Sequence, residues 1–363
     1  MKKSFFRLNS LMLSVAVTVG ALFLPLGTTA YASQEESGNL EYNVTSDYIE
    51  YLNNAKYPFA TEKISLKGGE YSATSGDKIT VSDYENKENV LIWQGEEGSV
   101  TYTFDVPSNG LYNIELEYLP LKGNELNIEY SLMIDGKLPF SALERLELVR
   151  FWVNDGDVKT DKLGNEYAPT QKEYGKFITD KVFDPTGVIT EDIQFALNAG
   201  RHTITIDKKT QPVVISQISL VPCESLKSYS EVKAEYEKKG YKNYSGTPFS
   251  IEGEAAYLKS TRSLVPKSDT SSASITPIST NKTVINYIGS SNWKAPTDEL
   301  VWKINVKESG LYNIGVNCLT LNLFNFPKEK RIYRPLYDLN RTLWQVLKHS
   351  ICQTSKTDNA LKR

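Results

Sequence analysis

Histidine and cysteine are scarce: two histidines (His202, His349) and three cysteines (Cys223, Cys318, Cys352) occur in 363 residues. Metal hydrolases and Ser/Cys–His relays draw their ligands and bases from these types, so the chain has almost no material for them. The cysteines are odd in number and widely spaced, unlike the dense even sets of disulfide scaffolds, and no Cys-x-x-Cys pair offers zinc or thioredoxin-like chemistry. Buried free thiols are expected, with a Cys223–Cys318 bridge as the alternative. Neither sign of charge dominates: 41 basic residues face 44 acidic ones, a net charge of −3, which speaks against nucleic acid as a partner. No Gly-x-Ser-x-Gly, phosphate loop or dinucleotide fingerprint occurs. The acid pairs Glu96-Glu97, Asp155/Asp157 and Glu191-Asp192 lie in turn-like sequence, without the desolvated acid beside an ionised partner that glycoside hydrolysis needs. No catalytic residue is assigned, and an enzyme is not expected.

Only the N-terminus carries a long apolar run. Lys2, Lys3 and Arg7 precede apolar Leu11 to Leu26, and Ala30-Tyr31-Ala32 supplies the small-x-small pattern of a cleaved leader. Residues 1–32 therefore read as a signal peptide and the mature chain as secreted, extracellular and cell-surface associated. Removing the three cations takes the net charge from −3 to −6.

What is abundant is tyrosine, 22 residues of it, and turn punctuation. Gly110-Leu111-Tyr112-Asn113-Ile114 recurs as Gly310-Leu311-Tyr312-Asn313-Ile314, and Val100–Val106 aligns without a gap over Leu300–Val306. Both upstream segments alternate apolar and polar residues, the period of a half-buried strand. With the polar turns that follow, each copy reads as a β-hairpin. A helical prelude also recurs: Tyr229 to Lys239 has a Ser N-cap candidate and Gly240 as its stop, and Ser46 to Ala55 is its weaker counterpart. Strands are expected after each, at Lys63–Leu66 and Pro248–Glu252.

The first module thus spans 45–224. The second spans 228–335 and is incomplete, leaving 336–363 as a non-homologous tail. Within the first, short strands are expected at Ile79–Val81, Asn89–Trp93, Ser99–Val106, Leu111–Leu119, Ile128–Ile134, His202–Ile206 and Val213–Val221. Asp135-Gly136 and Ala199-Gly200 mark tight turns. The pattern predicts an all-β chain of tandem β-sandwich (jelly-roll) modules with short linking helices. Arg150 to Thr190 reads as a long loop over one face, and Lys267 to Lys282 as a solvated Ser/Thr-rich loop.

Several strings carry a resemblance: Gly110-Leu111-Tyr112-Asn113-Ile114, Ile134-Asp135-Gly136-Lys137-Leu138-Pro139-Phe140, Trp152, Gly164-Asn165-Glu166 with Pro169, Gln171 and Glu173, and Leu197, Gly200 and His202-Thr203-Ile204. Over residues 45–335 the chain resembles the N-terminal region of large Firmicutes extracellular solute-binding proteins of ABC sugar transporters, in which tandem galactose-binding-like, carbohydrate-binding-module-like domains precede a solute-binding domain. The resemblance implies glycan or oligosaccharide recognition, and an ABC permease as partner if a solute-binding domain is present in the full-length form. The repeat pattern stops after about Phe326, where Arg334-Pro335-Leu336-Tyr337 replaces the Ile-Asp-Gly element, so a frameshifted or truncated product is expected.

Sugar sites combine flat aromatic faces with planar amides and carboxylates that bond paired hydroxyls. Trp152, Asn154, Asp155, Asn165, Glu166, Gln171, Glu173 and Tyr174 have that composition, and Trp293 beside Asn292 is the candidate platform of the second module. Trp152 as a core plug and Asn165-Glu166 as a turn stay open as alternatives. Trp93, Tyr112 and Tyr312 read as packing residues, and His202 as structural. No cofactor is expected: Glu252 and Glu254 read as ordinary solvated strand acids, with a structural calcium, which the resemblance to the opening strand of carbohydrate-binding modules implies, as the alternative. Modules that bind no sugar and act as spacers or docking units at the cell wall are the alternative, and a glycan-acting hydrolase is a more distant one.

Overall fold

The protein is seen as a computed structural model that describes residues 47–224, 227–271, 275–289, 292–293, 295, 297–306, 308–315 and, as backbone, 343–348. The leader at 1–32, Cys318, Cys352 and all of the tail at 336–363 except 343–348 lie outside the described residues.

Residues 47–55 form helix α1. Tyr48 and Tyr51, one turn apart, pack against Phe140 with tilted rings whose centres are 4.9 and 5.1 Å from its own. Their hydroxyls accept the backbone N–H groups of Gln194 and Ala196. Strands follow at β1 (Ile64–Lys67), β2 (Ala73–Ser75), β3 (Ile79–Tyr84), β4 (Lys87–Trp93), β5 (Gly98–Val106), β6 (Gly110–Pro120), β7 (Ile128–Ile134) and β8 (Leu146–Leu148). Next come β9 (Trp152–Asn154), β10 (Lys159–Thr160), β11 (Glu166–Tyr167), β12 (Gln171–Glu173), β13 (Ile178–Lys181), β14 (Gln194–Leu197), β15 (Gly200–Lys208) and β16 (Val213–Pro222).

Two antiparallel sheets face each other. One has the order β13-β6-β16-β4-β3, with β1 also on β16 and β14 also on β6; the other is β2-β5-β15-β7-β8. Their inward side chains make one core that includes Trp93, Tyr102, Tyr112, Tyr118, Phe195 and Ile204, each fully buried. The expected all-β sandwich is therefore observed, and the strands expected between residues 63 and 221 match in place to within a few residues.

The expected hairpin at 100–119 is not formed. β5 pairs with β2 and β15, whereas β6 pairs with β13, β14 and β16. The turn at 107–109 carries the chain across the sandwich, because both strands alternate and each needs a core face of its own. A genuine two-residue turn is Asp135-Gly136, with φ of 51° and 70° and reciprocal backbone bonds between Ile134 and Lys137. His202 is structural, its ring bonded to Asp135 Oδ2 at 2.7 Å and facing Asn198 O at 3.0 Å.

After β16 the chain enters helix α2 (Tyr229–Lys238) through a capping box. Ser228 Oγ accepts the N–H of Glu231, whose carboxylate accepts the N–H of Ser228. The repeat is visible in bonds. Leu111 N–H donates to Pro58 O and Ala60 N–H to Leu111 O; Leu311 N–H donates to Lys242 O and Tyr244 N–H to Leu311 O. Both repeat glycines lie under this crossing segment, where a Cβ on Gly110 would meet Ala60 at 2.9 Å and one on Gly310 the carbonyl of Lys242 at 3.0 Å. The strand expected at 248–252 is absent, and a 3-10 turn follows at Gly253–Ala255. Short strands complete the described chain: β17 (Leu258–Lys259), β18 (Pro266–Lys267), β19 (Tyr287–Ile288), β20 (Glu299–Ile304) and β21 (Leu343–Lys348).

Candidate functional site

Arg150 to Thr190 is not a free loop. It contributes β9 and β12 to a third sheet, ordered β12-β9-β17-β20-β21, in which two strands of the first half of the chain meet three of the second at the β9–β17 pair. Lys259 sits opposite Trp152, and Glu173 opposite Trp152 on the other side. Trp152 is 4% exposed, with the Arg262 guanidinium 5.6 Å from its ring centre, so no open ring face is left for stacking.

The other expected ligand residues converge on the same joint. Asn154 Oδ1 accepts from Gln171 Nε2 and from Lys259 Nζ, both at 2.9 Å. Glu173 pairs with Arg150, which is buried. Asn165 Oδ1 accepts the N–H of Thr283, Glu166 Oε2 accepts the N–H of Ile285, and Glu166 N–H donates to Thr283 O, so this turn binds the 283–285 segment as an edge strand would. Tyr174 meets Tyr257 edge-on at 6.0 Å. Asp155, exposed and paired with Lys172, stays at the rim. Trp293 packs within its own half: its indole N–H donates to Asp298 O, and its ring lies against Gly289. Burial explains the outcome, since large rings and amides with paired bonding capacity serve a polar joint as well as a sugar.

The two acids considered as calcium donors lie at the 3-10 turn Gly253–Ala255. Glu252 precedes the 3-10 turn, and Glu254 is held above the usual carboxylate range by burial and by the neighbouring charges of Glu252 and Glu166. Among the described residues no group of three or more His, Cys, Asp or Glu side chains could hold a metal.

A different surface combines aromatic faces with polar groups: the outward face of the β13-β6-β16-β4-β3 sheet. Val90, Leu119 and Val214 are buried there under Tyr84, Ile92, Leu121 and Phe177, which are partly exposed. Register places Ile92 opposite Val214 and Val214 opposite Leu119, a continuous apolar row. Beside it Glu117 accepts from Lys87 Nζ and from Ser216 Oγ, both at 2.6 Å. Burial alone would raise Glu117, but the bonds from Lys87 and Ser216 and the charges of Lys87 and Lys63 hold it below the usual carboxylate range. Lys87 Nζ also lies 5.8 Å from the Phe177 ring centre. Alternation from Val214 puts Ser216 on this face, next to a bulge between Ile215 and Gln217.

Sequence reasoning missed these residues, although a signal was present. Val90-Leu91-Ile92-Trp93 and Val213-Val214-Ile215 are continuous apolar runs, and a strand apolar on both sides covers something on each face.

No family model and no curated protein sequence matches the chain. Among solved structures, it is similar to a Podospora anserina GH26-CBM35 β-(1,4)-mannanase at 14% identity and TM-score 0.29, covering 46% of this chain and 28% of that one. It is similar to the C-terminal CBM6 of the laminarinase LamC from Zobellia galactanivorans at 12% identity and TM-score 0.27, covering 44% and 99%. A family 35 carbohydrate-binding module from Clostridium thermocellum stands at 11% identity and TM-score 0.26, covering 44% and 98%. The chain spans only 28% of the mannanase and 18% of a Paenibacillus cycloisomaltooligosaccharide glucanotransferase. Likenesses this distant identify neither a ligand nor a site for this chain.

Proposed function

We propose that the protein is a secreted, non-catalytic glycan-binding protein and that the outward face carrying Tyr84 and Phe177 is its recognition surface. The observation that supports this is a buried apolar floor that carries partly exposed rings at Tyr84 and Phe177, with an ionised, hydrogen-bonded carboxylate beside it. A pyranose ring presents apolar C–H faces and equatorial hydroxyls. Phe177 and Tyr84 offer the stacking surfaces. The remaining lone pairs of Glu117 accept hydroxyls, and Lys87, held in place by Glu117, donates. The leader at 1–32 supports export. The resemblance of residues 45–335 to sugar-transporter solute-binding proteins supports the same ligand class, with an ABC permease as partner where a solute-binding domain is also present.

The experiment is binding of the full secreted chain to a panel of soluble polysaccharides by affinity electrophoresis, with Phe177→Ala and Tyr84→Ala in parallel. The expected result is a retarded band for at least one glycan, weakened about tenfold in each variant, which is about 1.4 kcal/mol. A panel without retardation, or retardation unchanged in both variants, rejects the reading. The former result favours spacer modules, a role supported by the number of polar side chains committed to the joint.

A further inference from the structure

Lys208 ends β15 with its side chain 1% exposed. Its ammonium donates to Gly95 O at 2.6 Å, Glu96 O at 2.5 Å and Gln211 O at 2.7 Å, and lies 3.4 Å from Thr210 O. The face of Trp93, itself fully buried, closes the other side with its ring centre 5.0 Å away. Two turns supply the oxygens, one joining β4 to β5 and one joining β15 to β16. Their carbonyls point inward to the ammonium, and buried carbonyls of this kind require a partner.

Neutral backbone oxygens converging on one point are how proteins strip water from a potassium-sized ion. An ammonium has a similar size and the same charge, and three of its N–H bonds account for the three short contacts. Glu96 and Glu97 add negative potential around it. We propose that this carbonyl cluster is a monovalent-cation site that the chain fills with its own Lys208 ammonium, and that removing the ammonium opens it to potassium or a small alkylammonium from solution. The site ties together two turns distant in sequence without requiring an external ion.

The test uses the full chain, as wild type, Lys208→Ala and Lys208→Met, with thermal midpoints recorded at equal ionic strength in choline, potassium and n-propylammonium chloride. Alanine leaves room for an ion, whereas methionine fills the channel with an apolar stem. In choline, both variants should melt below wild type. Potassium and propylammonium should restore at least half of the loss in Lys208→Ala, while shifting wild type and Lys208→Met little. A Lys208→Ala midpoint independent of the cation overturns the proposal. So does equal rescue of Lys208→Met, and so does failure of Lys208→Ala to fold in all three salts.

Discussion

Gly68 shows how a single position can be dictated by the packing of remote chain. A Cβ there would stand 1.8 Å from the carbonyl oxygen of Ile215 and 2.8 Å from the backbone N of Leu91. Its own carbonyl accepts the hydroxyl of buried Tyr102 at 2.7 Å, so the backbone cannot move aside freely. Gly68→Ala should therefore cost at least the ~1–3 kcal/mol of an overpacked core. Urea denaturation of the variant checks this, and a midpoint equal to that of wild type would show that β1 shifts without penalty. Cys223 is similarly fixed: it is a free, buried thiol pushed up to about 12 chiefly by burial, as the sequence led one to expect. Residues of this kind were partly legible. The Asp135-Gly136 turn follows from local conformational preference, whereas the need for glycine at 68 comes from Ile215, 147 residues away, and no local rule reaches that far.

Among the elements, β17 carries the clearest electrostatic consequence. Lys259 is fully buried with Asn154 as its partner, and burial pushes its ammonium down to about 8 from the ordinary 10.5. Between these two values the unfolded chain binds the proton that the folded chain has released, so this group makes stability rise with pH across that window. Below pH 8 its burial cost is felt in full. The stability difference between wild type and Lys259→Met, followed by chemical denaturation from pH 7 to 10, should shift in favour of wild type as pH rises. Parallel profiles would mean that the lysine is more solvated than its burial implies. Most strands were legible from period-2 alternation, as were a Ser N-cap for α2 and its Gly240 stop. The pairing of β5 and β6 was not, because alternation says that a strand has a core face but not which sheet it joins.

At the scale of the molecule, the joint decides how the two halves behave. Val149, Phe151 and Val301 form an apolar cluster with Tyr174, Phe183 and Leu258 on one side of the third sheet. Polar bonds join the halves as well, from Lys259 to Asn154 and from the 283–285 segment to Asn165 and Glu166. The two halves should accordingly melt together. Calorimetry of the full chain should give one endotherm, and Asn165→Ala combined with Glu166→Ala should lower or split it. Two well-separated transitions in wild type would show that the joint couples them weakly.

Composition, alternation and the Gly-Leu-Tyr-Asn-Ile repeat were enough to establish an all-β chain with duplicated elements, since these depend on near neighbours and on a period that the sequence displays directly. The role of the aromatic and amide residues at 152–174 was decided only in three dimensions. A tryptophan with neighbouring amides has the same composition whether it faces a sugar or another strand, and the pairing of β9 with β17 turned it inward. Tyr84 and Phe177, 93 residues apart in sequence, share one outward face because β3 and the segment leading into β13 belong to the same sheet. Long-range register, which carries no local signature, is the physical reason for the difference.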